Sequence, residues 1–279
     1  MTAIPAAQAH SAPAVPSTHT APSAVHSAPY VLSTVVTGTG PGVLLAHGAG
    51  GGVAENFGPL AAELSTRHTV VGPSYPGDDR PLDLDRLADA VVASAVDAGV
   101  EAFTVIGYSL GTAVAVRAAA RHPERVRGLV LAAGFARADN RLRLGMRVWQ
   151  DALARGDREA FARIALVLGF GADLVNSLPE EGFPALVEQI AAAVPPGTAA
   201  QARLVAEADT TADLAALAVP VLVVNATRDL LVDPANSRAL AAAIPGAEYA
   251  ELATGHLLMA ERPHEWQELV TGFLARHAL

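Results

Sequence analysis

Apolar residues in this chain cluster in short runs, and longer amphipathic stretches separate them. The runs are Val31–Val36, Val43–Ala46, Thr69–Val71, Phe103–Ile106, Leu129–Ala132, Val221–Val224 and Ala247–Leu252. From Val43 onward most lack polar alternation, the pattern of parallel strands covered on both faces. Tyr30–Thr37, followed by Gly38-Thr39-Gly40-Pro41-Gly42, predicts an edge strand that turns back in a hairpin. The stretches between the runs read as helices. After Asp83, a suitable N-cap, residues Leu84, Leu87, Val91, Val92, Ala95 and Val96 share one helical face. Pro263 opens another helix, with Trp266, Leu269, Val270, Phe273 and Leu274 on one side. Strand alternating with helix predicts an α/β fold, a mostly parallel central sheet flanked by helices.

The alternation fails between Arg137 and Ala218. Helical patterns occupy Leu142–Ala154, Arg158–Leu168, Pro184–Ala193 and Thr198–Ala208, with no convincing strand. Strands flank the block, so it is an excursion from the sheet. We expect residues 137–218 to form a helical cap over the carboxyl ends of the strands, where open α/β sheets bind ligands. The alternative is helices packed on the sheet flank. The core then comprises residues 30–136 and 219–279. Residues 1–29, all Ala, Pro, Ser, Thr, His and similar uncharged types, have neither the basic start nor the apolar stretch of about 7–15 residues of a secretory signal, and read as a disordered leader. Its His10, His19 and His26 have no spacing that suits a compact metal site.

Composition narrows the chemistry. The chain has 279 residues, 51% hydrophobic, enough to bury a large core. All 19 basic residues are arginine, so a Schiff-base lysine, a pyridoxal phosphate anchor and a P-loop lysine are excluded. Without cysteine there is no disulfide, thiolate nucleophile or thiolate metal site. A net charge of −9, spread along the chain, argues against nucleic acid and anionic membrane as partners. The uncharged stretch 102–116 is broken at Gly107 and Gly111 and is too short to span a bilayer. A cytoplasmic protein with a small-molecule substrate is the expectation; oligomeric state is left open.

One serine sits where chemistry is expected. Gly107-Tyr108-Ser109-Leu110-Gly111 joins a strand-like run to a helix-like run, so Ser109 occupies a sharp turn with glycines two residues either side. A serine hydroxyl needs a base to take its proton and a third group to hold that base. Asp229 follows the strand Val221–Val224, and His256 follows Ala247–Leu252. All three stand beyond strand ends, in the order Ser, Asp, His. The helix starting after Ser109 offers the N–H of Leu110 to an oxyanion, and the loop His47-Gly48-Ala49-Gly50-Gly51-Gly52 offers the N–H of Ala49.

With those pieces assembled, residues 30–279 resemble the α/β-hydrolase family. The matching segments are His47-Gly48, GYSLG, HPERVRGLVLAAG (122–134), VPVLVVNATRDLLVDP (219–234) and GHLLMAERP (255–263). The pattern is most similar to the branch of enol-lactonase-like, esterase and cofactor-free haloperoxidase-like enzymes. The resemblance implies Ser109 as nucleophile, His256 as general base and then acid, Asp229 as its orienter, and no cofactor. Asp233 is a competing acid. Ala226 stands where the family usually has Gly, and Ser74–Asp79 departs from the usual turn, which bears on the pocket entrance. In this loop His47 is expected to be structural. Tyr108 either lines the pocket and touches substrate or merely packs.

His68, His122, His264 and His277 are expected to face solvent. Arg141, Arg143 and Arg147 are expected to form a solvated helix face, with steering of a carboxylate-bearing substrate as the alternative. No cluster suits a metal. The expected activity is hydrolysis of an ester, lactone or thioester of a small to medium apolar substrate through an acyl-enzyme. The alternatives are a lyase, cyclase or C–C bond hydrolase on the same triad, or a non-catalytic small-molecule receptor.

Overall fold

The computed structural model describes residues 29–279; residues 1–28, with the three leader histidines, lie outside the described residues. Seven strands form one sheet: β1 (Ser33–Thr37), β2 (Gly42–Ala46), β3 (Thr69–Ser74), β4 (Phe103–Tyr108), β5 (Val126–Ala132), β6 (Val221–Ala226) and β7 (Glu248–Leu252). Their order is β1-β3-β2-β4-β5-β6-β7, with β1 antiparallel to β3 and every other pair parallel. Helices α1 (Val53–Leu64), α2 (Leu84–Asp97) and α3 (Leu110–Arg121) connect the first five strands. Between β5 and β6 lie α4 (Asn140–Ala154), α5 (Arg158–Gly169), α6 (Ala172–Ser177), α7 (Phe183–Ala193) and α8 (Thr198–Glu207). After β6 come α9 (Pro234–Ala243), α10 (Leu258–Glu261) and α11 (Pro263–His277).

The central strands are apolar on both faces because helices cover both. Leu44, Val71, Val105, Leu129 and Val223 pack in one hydrophobic layer with α2 and α3. Val43, Leu45, Ile106, Val130 and Leu222 pack in the other with Phe57 and Leu60 of α1 and Trp266 and Phe273 of α11. The Asp83 carboxylate caps α2 by accepting from the Arg86 N–H at 2.9 Å. Pro263 stands at the start of α11. Residues 102–116 divide between β4 and α3, and among the described residues no helix is long and apolar enough to cross a membrane.

The hairpin expected after β1 does not form. β1 is an edge strand, but its partner is β3, with Val36 opposite Val71, not β2. β2 is buried from Val43 to Ala46 and takes a parallel neighbour on each side, Val43 lying beside both Val70 and Thr104. The half-polar β1 suits only the edge, so the chain must cross the turn between α1 and β3 to reach the centre. Gly38 (φ 72°) and Gly40 (φ 126°) permit this crossing: a Cβ on either would stand 2.2 Å from the His68 or Arg67 carbonyl oxygen.

The helices between β5 and β6 leave and rejoin the sheet at one place. The Thr210 N–H donates to the Ala136 carbonyl at 2.8 Å, and Arg137 pairs with Asp209 in an isolated bridge. Beside this base, Arg117 of α3 is hydrogen-bonded to the Asp213 carboxylate (2.9 Å), the Asp209 carbonyl (2.8 Å) and Asp85 of α2. From there α4, α5, α7 and α8 form walls of a cavity at the carboxyl ends of the strands.

Candidate active site

The turn between β4 and α3 is tight enough to strain its serine. Ser109 holds φ 54° and ψ −118°, a region that a residue with a side chain rarely adopts. Packing imposes it. A Cβ on Gly111 would lie 1.8 Å from the Ala46 carbonyl oxygen, and one on Gly107 would lie 2.4 Å from the Gly111 carbonyl oxygen. The two glycines let α3 press against β2 and β4, and the Ser109 N–H donates to the Ala132 carbonyl at 2.9 Å. The hydroxyl is thereby turned toward the cavity.

His256 and Asp229 meet it there. Ser109 Oγ lies 2.9 Å from His256 Nε2, and His256 Nδ1 lies 2.6 Å from Asp229 Oδ2. The other Asp229 oxygen accepts from the N–H groups of Leu231 (2.8 Å) and Val232 (2.9 Å), which fixes the carboxylate. All three residues are buried. With its Nδ1 proton given to Asp229, His256 presents Nε2 to the serine as a proton acceptor. Asp233 is elsewhere: its carboxylate caps α9 through the Ala235 N–H at 2.8 Å and lies 3.7 Å from Arg141. Tyr108 lines the cavity and also donates its hydroxyl to the His256 carbonyl at 3.2 Å, its ring 5.1 Å from the imidazole. Burial first, then the nearby Asp229 and Glu261 carboxylates, push its phenol well above the ordinary range, so it stays a donor.

The glycine loop is held from three sides. Asn56 Oδ1 accepts the Gly48 N–H and Gln201 Oε1 of α8 accepts the Gly50 N–H, both at 2.9 Å. Between them the Ala49 N–H has no acceptor among the described residues. The Leu110 N–H is the first of α3 and has no intrahelical acceptor. His47 supports the loop from below. Its Nε2 accepts the Tyr75 N–H at 3.1 Å, so the proton sits on Nδ1, which donates to the Gly48 carbonyl at 2.8 Å. The ring stacks on Tyr75 at 3.7 Å, and burial pushes its pKa down to about 4. That makes it a neutral wedge. Tyr75 comes from the unusual 74–79 loop, whose Pro76 carbonyl approaches Gly197 so closely that a Cβ there would stand 2.4 Å away.

The cavity above Ser109 has a volume of about 380 Å³. Its walls are mainly apolar, with Leu142, Met146, Trp149, Phe161, Phe170 and Ile190 contributed by the β5–β6 excursion. Among the described residues no cluster of three or more metal-ligating side chains occurs.

Residues 41–263 match the family described as alpha/beta hydrolase fold. The chain belongs to that family. It is an enzyme of the hydrolase class, and its relatives include named hydrolases and esterases. A pyrrolizixenacetamide deacetylase of Xenorhabdus hominickii is 34% identical over 251 residues, covering 87% of this chain and 94% of that protein. Among solved structures, a thermophilic esterase from Thermogutta terrifontis superposes with a TM-score of 0.76 at 25% identity, covering 88% and 93% of the two chains. The enol-lactonase of Burkholderia xenovorans LB400 gives 0.75 at 24% identity, over 88% and 96%, and so shares the fold.

Several side chains differ from expectation. His68 and His122 do not simply face solvent: His68 is half-buried between the Leu64 and Leu279 carbonyls, and His122 lies 2.8 Å from Asp89. His264 is exposed, and His277, also exposed, lies 2.6 Å from Glu248. Arg141 and Arg147 are exposed, as expected of a solvated face, although Arg141 also donates to the Leu230 carbonyl (2.7 Å); Arg143 is half-buried and donates to the Ala206 carbonyl (3.2 Å). Three site residues escaped sequence reasoning. Asn56 and Gln201 carried a faint signal, a polar residue on the buried stripe of an amphipathic helix. The third, Glu261, accepts the N–H groups of Gly171 (2.9 Å) and Gly255 (3.0 Å) on one oxygen, and no pattern in the sequence pointed to it.

Proposed function

We propose that this enzyme is a serine hydrolase that cleaves an ester, lactone or thioester of a small to medium apolar substrate through an acyl-enzyme. The helices between β5 and β6 act in this reading as a cap that closes the acyl chamber. The observation that carries it is the chain of hydrogen bonds from Ser109 through His256 to Asp229, 2.9 and 2.6 Å long, at the floor of an apolar cavity of about 380 Å³. Ser109 Oγ attacks the substrate carbonyl while its proton passes to His256 Nε2. The resulting oxyanion is stabilised by the N–H groups of Ala49 and Leu110. His256 then protonates the leaving oxygen or sulfur as its bond to the acyl carbon breaks. Water, deprotonated by His256, attacks the acyl-enzyme and releases the carboxylic acid and Ser109. No cofactor enters the cycle.

The 34%-identical deacetylase favours a second reading, hydrolysis of an N-acetyl amide with the same residues in the same roles. A panel of p-nitrophenyl esters of increasing acyl length, lactones, thioesters and acetanilides tests both. The expected result is turnover of at least one class, with Ser109→Ala lowering kcat by about a thousandfold or more. A Ser109→Ala protein as active as wild type would overturn the reading.

A further inference from the structure

The cavity has a sign. Of the residues that line it, none is arginine, and the chain contains no lysine. Glu55 is the one charged side chain among the described lining residues. It stands exposed at the rim, in the first turn of α1, its carboxylate against Gly52, where a Cβ would come within 2.7 Å of Oε2. No cation pairs with it among the described residues. The adjacent Asn56 also lines the cavity. Its Oδ1 is taken by the Gly48 N–H, and its Nδ2 has no acceptor among the described residues. The polar end of the chamber thus offers one amide donor and one unpaired carboxylate. The walls contributed by the β5–β6 excursion are mainly hydrocarbon, with the unpaired Trp149 Nε1 among them.

We propose that this chamber selects substrates by charge: it takes acyl compounds that are uncharged or carry an ammonium group and rejects those that carry a carboxylate, with Glu55 setting the sign. The inference rests on Ser109 being the acyl acceptor. A substrate carboxylate drawn into the chamber exchanges water for apolar walls and meets no cation to replace its hydration. It also meets the like charge of Glu55 at the solvent-exposed rim, a repulsion that is felt most at low ionic strength. An ammonium group of the same size meets an opposite charge. An uncharged chain forfeits no hydration and gains from the walls formed by Leu142, Met146 and Ile190.

Three p-nitrophenyl esters of matched length test this: the pentanoate, the monoester of glutarate, and 4-(trimethylammonio)butanoate. Their kcat/KM values are measured at low ionic strength with wild type, Glu55→Gln and Glu55→Arg, and the pentanoate also with Ser109→Ala. For wild type, the pentanoate and ammonium esters are expected to exceed the glutarate ester by about tenfold or more. The ratio of glutarate to ammonium ester should rise several-fold in Glu55→Gln and further in Glu55→Arg. Equal wild-type rates for glutarate and pentanoate, or ratios that do not move in either Glu55 variant, overturn the inference. If those results come with a pentanoate activity that Ser109→Ala abolishes, the hydrolase reading survives and only charge selection falls. No turnover of any ester, or turnover indifferent to Ser109→Ala, overturns both.

Discussion

Ser109 and His47 show how single residues are forced into roles by what surrounds them. Ser109 carries a positive φ because the Ala46 carbonyl, packed 1.8 Å from where a Gly111 Cβ would be, leaves α3 no other approach. His47 is buried under the glycine loop with both ring nitrogens engaged, and burial lowers its pKa from the ordinary 6.5 to about 4. In the unfolded chain it protonates near 6.5, so between 6.5 and 4 the unfolded state binds more protons. Its contribution is therefore present above pH 6.5 and is lost as pH falls toward 4, amounting to about 3 kcal/mol. The urea midpoint of wild type should fall between pH 7 and 4.5 more steeply than that of His47→Asn. Parallel pH profiles for the two proteins would contradict this assignment.

Among the elements, the most consequential junction joins the β5–β6 excursion to the loop after β7. The Leu257 N–H donates to the Gly169 carbonyl at 2.9 Å, and a Gly255 Cβ would meet the Gly171 nitrogen at 2.3 Å. Glu261 clasps both backbones with one oxygen, and its neighbour in this contact is the residue just before His256. Glu261→Ala should let the imidazole drift, lowering kcat on the order of tenfold with little change in KM. Glu261→Gln, which keeps an acceptor oxygen, should restore most of it. An alanine variant with wild-type kcat would show that the clasp has no part in placing His256.

The same scale shows what could and could not be read in advance. Helix α2 was legible because its cap and apolar stripe lie within the helix itself. The partner of β1 was not, because adjacency in sequence favours a hairpin, and only the burial of β2 between two parallel strands excludes it.

Across the whole molecule, a mostly parallel sheet brings the ends of β4, β6 and β7 to one edge and sets the excursion over them. That Ser109, Asp229 and His256 stand beyond strand ends could be read from runs of valine and leucine, since strand ends are local. Their mutual distances could not, and neither could the supports. Gln201 reaches a glycine 151 positions away and Glu261 one 90 positions away, both through backbone N–H groups that leave no residue-type pattern. The tethering of Arg141 and Arg143 was hidden for the same reason, since their partners are carbonyl oxygens of Leu230 and Ala206.

The central claim is that Ser109 is the residue that bonds covalently to the substrate. An aryl fluorophosphonate, which leaves a stable adduct on an activated serine, tests it directly by intact mass and peptide mapping. One adduct per chain is expected, on the peptide containing Ser109, with esterase activity lost in proportion and no labelling of Ser109→Ala. Labelling of another residue, or full labelling of Ser109→Ala, would contradict it.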